Sequence, residues 1–276
     1  SKRGWTTWTT AAVDSRVVAI APVVIDVLNV EESMQHHWDA YGFWSQAIHD
    51  YEDMGMMTWL HTPEFRAMMA IVDPYSYIDR LTMPKYIINA TQDEFFLPDS
   101  SQFYFDALKA EKHLRYVPNS GHVGTTDTWN DLLTFYNAIL DGTPRPEFAW
   151  SKQPDGSLIV ETPSTPTEVR LWQASNPNAR DFRLPILGSA WTSSLLTDRG
   201  GGEYIAEVPE PSQGWTAFMV ELTYPSAGPF PFKFTTEVVV LPEFLPYGDT
   251  DGDGIGDSEE GMEDIDEDDI PNYQDL

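Results

Sequence analysis

Apolar residues follow two different patterns along the first half of the chain. A continuous apolar run at 17–25 and short strand-like segments at 84–90 and 113–117 alternate with segments of helical period at 99–110 and 127–140. Continuous β-branched runs are typical of buried parallel strands, and apolar positions three to four residues apart are typical of amphipathic helices. Strand and helix alternating through short connections predict an α/β fold with a parallel sheet.

Residues 26–80 interrupt this alternation. They contain no comparable apolar run and are rich in aromatic residues and Met. We interpret them as a helical insertion, a cap on the sheet. Most of these side chains are expected to form the core of the cap, and a minority to line an apolar substrate pocket.

The pattern of apolar positions changes again at about residue 144. Short β-rich runs follow, separated by clusters of Pro, Gly, Asn and Ser. About 100 residues of this pattern predict an antiparallel β-sandwich of immunoglobulin-like type. The domains expected are an α/β part at 1–143, the sandwich at 144–242 and an irregular tail at 243–276.

Composition limits the classes of function. The 276 residues are 41% hydrophobic, which excludes wholesale disorder, and they contain no Cys, which excludes disulfide scaffolds, thiol catalysis and Cys-ligated zinc. No uncharged apolar stretch approaches the length of a membrane span. The net charge of −28 argues against nucleic acid and anionic membrane surfaces as partners. Residues 249–276 hold 13 of the 44 acidic residues and no Lys or Arg.

Three polar residues stand where parallel strands and their helices meet. Ser1 precedes the first predicted helix, Asp93 follows the strand ending at residue 90, and His122 follows the strand ending at residue 117. Ligand chemistry gathers at the carboxyl ends of strands in open α/β sheets. The order Ser, Asp, His is that of an α/β-hydrolase: His122 would take the proton of the Ser1 hydroxyl, and Asp93 would orient the imidazole.

Each residue also has a simpler interpretation. Ser1 suits a helix N-cap, or an N-terminal nucleophile whose own amine is the base. His122 suits a loop position, and Asp93 suits a cap or an ion pair. Glu94 and Asp99 are rival acids for the same role.

Four segments carry a family resemblance, namely 1–8, 22–29, 171–183 and 234–238. They resemble the PhoPQ-activated pathogenicity-related proteins over roughly residues 1–242. The resemblance implies a secreted or periplasmic serine hydrolase with a Gly-x-Ser-Lys-Arg-Gly turn whose first two residues lie before this chain. It implies Ser1 as nucleophile, Asp93 as acid, His122 as base and the Lys2 amide as an oxyanion donor. The α/β part would then be the C-terminal half of an α/β-hydrolase fold.

The acidic tail has the spacing of a calcium loop. Acids stand at positions 1, 3, 5, 9 and 12 of a loop in which position 7 offers a main-chain carbonyl, as Ca²⁺ binding requires. A second segment repeats the spacing, with Asp269 in place of the glycine. The pair resembles thrombospondin type 3 repeats; a solvated acidic tail is the alternative. The first loop comprises Asp249, Asp251, Asp253, Ile255, Asp257 and Glu260, and the second Asp264, Asp266, Asp268 and Asp275.

Histidines in the insertion suggest one further metal site. His36, His37 and Asp39, with His49 and His61, could bind a metal ion, although no helical i, i+4 ligand pair occurs among these His. A polar rim on the cap is the alternative.

Two functions are carried forward from the sequence. The first is a secreted, periplasmic or cell-surface serine hydrolase acting on an unidentified small-molecule or peptide ester or amide, with calcium bound by its tail. The second is a non-catalytic extracellular module for calcium-dependent adhesion. Millimolar calcium outside cells supports an extracytoplasmic location for either.

Overall fold

The chain has a mixed α/β fold in the computed structural model, which describes residues 2–253, 255–261, 270 and 272–274. Between residues 26 and 80 its regular structure is helical, as the composition indicated. The α-helices are α1 (Lys2–Val13), α2 (Val30–Tyr41), α3 (His49–Asp53), α4 (Pro63–Val72), α5 (Thr126–Leu140), α6 (Leu184–Leu187) and α7 (Asp257–Glu260). Short 3₁₀ helices occupy Gln46–Ile48, Met56–Trp59, Pro74–Arg80, Ser100–Phe103 and Asn272–Gln274.

Local capping sets the ends of the helices in the insertion. The Thr62 hydroxyl accepts a hydrogen bond from the Phe65 amide at the start of α4, beside a proline at the first helical position. The buried Asp73 carboxylate accepts hydrogen bonds from the Tyr75 amide at 2.9 Å and from the Val30 amide at 2.8 Å. One carboxylate therefore caps both the segment that follows α4 and the first turn of α2.

The parallel part of the sheet follows the apolar runs. β1 (Lys85–Ala90) pairs in parallel with β2 (Lys112–Val117). The run 17–25 pairs with the other side of β1 through only two bridges, Ile20 to Lys85 and Val23 to Ile88. It is not a continuous strand, because Pro22 has no amide hydrogen to donate.

The strands of the second half do not form a separate domain. These strands are β3 (Ala149–Lys152), β4 (Leu158–Glu161), β5 (Glu168–Asn176), β6 (Thr192–Leu195), β7 (Glu203–Ala206), β8 (Trp215–Tyr224), β9 (Phe232–Thr235) and β10 (Val239–Leu241). The seven-stranded sheet has the order β1-β2-β9-β8-β5-β6, with β10 also paired to β8, and β9 is antiparallel to β2. The predicted independent immunoglobulin-like sandwich is therefore not confirmed: antiparallel strands extend the parallel ones in one mixed sheet. A second sheet has the order β3-β4-β7.

The two faces of the mixed sheet bury different apolar clusters. Alternate residues of one strand enter different clusters, as the pleat requires: Phe218 and Val220 of β8 lie on the face with α5 and the three-stranded sheet. Ala217 and Met219 lie on the opposite face, with α1 and the helical insertion. Both clusters contain residues from both halves of the chain, so the core is shared.

A buried ion cluster also joins the halves. Arg115 on β2 is fully buried and donates to Asp131 of α5 and to Glu221 of β8, each at 2.6 Å. The Tyr116 amide donates to the Thr235 hydroxyl of β9. Removing one partner from a buried ion pair leaves an uncompensated charge, so this cluster fixes how the antiparallel strands meet β2.

The helix predicted at 99–110 is largely wrong. Only Ser100–Phe103 forms a 3₁₀ turn. The physical reason lies with the next strand: the Lys112 ammonium takes the carbonyls of Phe105 and Asp106, which a continuing helix would use in its own hydrogen bonds. Hydrogen bonds from the Lys112 side chain thus replace the main-chain hydrogen bonds that the helical pattern predicted.

Candidate active site

Asp93 and His122 form a hydrogen-bonded pair beyond the carboxyl ends of β1 and β2. Both oxygens of the Asp93 carboxylate lie close to His122 Nδ1, Oδ1 at 3.0 Å and Oδ2 at 2.9 Å. The two residues are 29 positions apart, and the parallel register of β1 with β2 brings their following loops together. A carboxylate at Nδ1 favours the tautomer that leaves Nε2 free to accept a proton.

The environment of the pair suits this role. Asp93 is 4% exposed, and its Oδ1 accepts the Phe95 amide at 2.7 Å. Burial raises the pKa of Asp93, and the hydrogen bond from His122 opposes that rise. The Phe95 ring lies 4.2 Å from the His122 ring, centroid to centroid, and restricts its rotation. The imidazole itself is partly accessible, as a proton acceptor for a substrate reaction must be.

The predicted nucleophile, Ser1, lies outside the described residues. Lys2, whose amide is the predicted oxyanion donor, is the first residue of α1. The close packing of α1 against residues 23–25 depends on Gly4. An added Cβ at this position would lie 2.5 Å from Ile25 Cγ2 and 3.2 Å from the Val23 carbonyl oxygen. The start of α1 therefore packs directly against the end of the apolar run 17–25.

The segment after β5 supports both loops of the pair. Gln92 donates to the carbonyls of Phe182 and Gly188, at 3.1 and 2.7 Å. Asn119 exchanges two hydrogen bonds with the main chain of Trp191, each at 2.9 Å. The sequence reasoning missed this support, because it assigned these residues to a separate sandwich.

Asp26 is a further buried acid near the site that the sequence analysis did not select. It follows the apolar run 17–25, and this position after a strand was the available signal. The Tyr104 and Tyr116 hydroxyls donate to its two oxygens, each at 2.6 Å. Burial is the largest influence and raises the pKa of Asp26 to about 7, while the two tyrosines oppose the rise and Asp93 adds to it.

The rival acids have other partners. Asp99 binds His36 Nε2 at 3.0 Å and the Arg180 guanidinium at 2.7 Å. Burial opposes ionisation of Asp99, but the charges of Arg180 and His36 outweigh it and hold its pKa well below the ordinary value. Glu94 accepts the main-chain amide of His122 at 2.8 Å rather than its ring.

The histidine-rich metal site suggested for the insertion is not assembled. His36 pairs with Asp99, and His37 Nε2 accepts the Ser45 amide. His49 contacts the Gln46 carbonyl, and His61 contacts Glu31 and Gln35. Burial and the Arg183 charge lower the pKa of His37 to about 3, which keeps it a neutral acceptor.

The first acidic loop brings part of its predicted ligand set together. Carboxylate oxygens of Asp249, Asp251 and Asp253 lie within 4.8 Å of one another. Asp257 is buried and instead accepts the Thr250 amide and hydroxyl at 2.7 and 2.8 Å. Glu260 is not part of this carboxylate group, and Ile255, which was predicted to offer its main-chain carbonyl, lies in the same loop. The second loop's ligands Asp264, Asp266, Asp268 and Asp275 lie outside the described residues.

Among the described residues, none of the helices is both long and apolar enough to cross a membrane. The predicted locations outside the cytoplasm and the calcium cofactor stay predictions.

Comparison with known proteins relates this chain to one family. A family model described as PhoPQ-activated pathogenicity-related protein matches residues 1–183. Autocrine proliferation repressor protein A of Dictyostelium discoideum is 38% identical over 290 residues, which cover 95% of this chain and 59% of that protein. The chain thus spans about three fifths of the length of this curated relative.

Two solved structures show weaker likeness. Acetyl xylan esterase 1 from Thermoanaerobacterium sp. is 16% identical with a TM-score of 0.39, over 51% of this chain and 43% of that chain. A structure from a study of the metagenome-derived lipolytic enzymes LipS and LipT is 16% identical with a TM-score of 0.33, over 51% and 62%.

Proposed function

The chain belongs to the PhoPQ-activated pathogenicity-related protein family, and from this premise we propose that it carries the acid and base of a serine hydrolase. The observation that supports the proposal is the Asp93–His122 pair, with both carboxylate oxygens within 3.0 Å of Nδ1 and the ring held by Phe95. The pair follows two adjacent parallel strands, where α/β enzymes place their chemistry.

In the proposed reaction, Ser1 is the nucleophile. His122 Nε2 takes the hydroxyl proton as the Ser1 oxygen bonds to the acyl carbon, and then delivers it to the leaving alcohol or amine. Water repeats the sequence and releases the acid. Asp93 holds Nδ1–H and stabilises the imidazolium, and the Lys2 amide at the start of α1 would donate to the oxyanion. The substrate class is an ester or amide of unidentified acyl group.

Fluorophosphonate labelling tests the proposal, because the reagent bonds covalently to an activated serine. The wild type should be labelled, and Ser1→Ala, His122→Gln and Asp93→Asn should lose labelling. Ser15→Ala, at an exposed serine after α1, is the matched control and should label like the wild type. Wild-type protein that stays unlabelled would refute an activated serine.

A non-catalytic role is the alternative, and the name of the Dictyostelium relative favours it. That protein is called a proliferation repressor, which is a signalling description rather than an enzymatic one. In this case the family fold would serve as a binding module outside cells. Unchanged biological activity of the Ser1→Ala protein, together with absent labelling, would favour this role.

We also propose that the loop 249–260 binds Ca²⁺, which would accord with an extracytoplasmic location. The support is the convergence of the Asp249, Asp251 and Asp253 oxygens, since hard oxygen donors are what Ca²⁺ prefers. Desolvation and then the charges of Asp251 and Asp253 raise the pKa of Glu260, so its carboxyl lies within the field of the other acids of the loop. Isothermal titration should give heat with millimolar CaCl₂ for the wild type and none for Asp251→Asn/Asp253→Asn; equal heats would contradict it.

A further inference from the structure

Two consecutive acids contact the same histidine in different ways. The Asp93 carboxylate pairs with the ring of His122, whereas Oε2 of Glu94 accepts its main-chain amide at 2.8 Å. A carboxylate acceptor makes a charge-assisted hydrogen bond, which is stronger than one between neutral groups. The ring and the backbone of His122 are therefore fixed from one loop, by neighbouring side chains.

The residue before the histidine leaves room for this contact. A Cβ on Gly121 would lie 2.7 Å from Glu94 Oε1 and 3.0 Å from Oε2, closer than real Cβ atoms approach. The backbone of Gly121 does not need a positive φ, so the requirement is for space. Glycine at position 121 therefore leaves the space in which the Glu94 carboxylate contacts the loop that carries His122.

Glu94 is itself held from the helical insertion and from the second half of the chain. The Ser45 hydroxyl donates to the Glu94 carbonyl at 2.5 Å. The Ser45 amide donates to His37 Nε2 at 3.1 Å, and Arg183 Nη1 donates to the Ser45 hydroxyl at 3.2 Å. The main chain of Glu94 is thus bonded to Ser45, and His37 and Arg183 hold Ser45 in place, which fixes the position from which the Glu94 side chain extends.

We propose that Glu94 is a positioning residue that acts through His122. By holding the His122 amide, it keeps the imidazole in register with Asp93 and keeps Nε2 directed at the substrate side. The assignment rests on the proposed hydrolase function, because orientation of the ring matters to a reaction only if His122 is the base. Glu94 would not touch the reacting atoms.

Two variants separate the hydrogen bond from other effects. Glu94→Gln keeps an oxygen that can accept the His122 amide, and Glu94→Ala removes it. Gly121→Ala leaves the carboxylate in the chain but displaces it. Glu64→Ala, at an exposed position of α4, is the matched control, and thermal melting by circular dichroism verifies folding of each variant.

The first readout is ¹⁵N NMR of the histidine ring nitrogens, with His122 assigned from the spectrum of His122→Gln. The wild type, Glu94→Gln and Glu64→Ala should show the Nδ1–H tautomer. Glu94→Ala and Gly121→Ala should show a mixture of tautomers. The second readout is the rate of fluorophosphonate labelling, which should fall about 10- to 100-fold in Glu94→Ala, as expected for a misplaced catalytic group, and recover in Glu94→Gln.

The tautomer measurement does not depend on labelling. Wild-type protein that is not labelled would overturn the proposed function, while the ring nitrogens would still report whether Glu94 orients His122. If Glu94→Ala shows the same His122 tautomer and the same labelling rate as the wild type, the positioning role is overturned. Equal damage in Glu94→Gln and Glu94→Ala would overturn it as well, since the acceptor would then not be what matters.

Discussion

Replacing Asp26 with Asn tests whether a buried carboxylate at the edge of the candidate site sets the pH dependence of stability. The side chain is 3% exposed, and its oxygens accept the hydroxyls of Tyr104 and Tyr116. Burial raises its pKa from an ordinary value of 3.8 to about 7. The two hydroxyl donors compensate only part of the lost hydration of the charged form.

The sign follows from which state holds the proton. Below about pH 4 both folded and unfolded chains are protonated at Asp26, and its contribution to stability is fully present. Between about pH 4 and 7 only the folded chain keeps the proton, so stability falls as pH rises. A difference of roughly three pKa units corresponds to about 4 kcal/mol of lost stability above pH 7.

Urea unfolding of the wild type and Asp26→Asn at pH 4.5 and pH 8 measures this effect. The variant has no charge to bury, so its stability relative to the wild type should increase by about 3 kcal/mol between the two pH values. Asp141→Asn, at an exposed position, serves as control and should show no such change. A stability difference that does not vary with pH would refute the reasoning, because Asp26 would then ionise alike in both states.

Substitutions at three further positions test the packing of the fold, each by urea unfolding. Gly4→Ala should destabilise the protein by about 1–3 kcal/mol, because the new methyl group would lie 2.5 Å from Ile25 Cγ2; a gain in stability, as expected in an open helix, would contradict this. Glu221→Ala should cost about 3–5 kcal/mol and Glu221→Gln nearly as much, because both leave the buried Arg115 without one of its charged partners; a Glu221→Gln variant as stable as the wild type would argue against a charge effect. Asn119→Ala should cost about 1–3 kcal/mol and speed hydrogen exchange of the Trp191 amide, and unchanged exchange would show that the Asn119 bond does not hold that segment.

Periodicity predicted the elements that depend on local pattern. β1, β2 and α5 lie within one residue of their predicted bounds. These elements have strong apolar runs or a clear helical stripe, so neighbouring residues determine their conformation. The predicted helix at 99–110 failed because the Lys112 ammonium takes the carbonyls of Phe105 and Asp106, and the position of Lys112 depends on the pairing of β2 with β1.

The chemistry of the site was predictable in part. Polar residues directly after strands indicated Asp93 and His122, and parallel pairing brings them within 3.0 Å. The same rule gave no way to choose among Asp93, Glu94 and Asp99. Their partners separate them: the ring of His122, its amide, and the Arg180–His36 pair.

The sequence alone determined most of the element types, the order of the catalytic candidates and the acidic spacing of the tail, because each depends on residues near one another in the chain. Tertiary structure decided that the second half joins the first in one mixed sheet. Two contacts contribute to this joining. Arg115 donates a hydrogen bond to Glu221, 106 residues away in the sequence, and the Trp191 amide donates to Asn119, 72 residues away. Buried polar groups must find partners wherever the fold supplies them, and composition does not reveal which distant residue that will be.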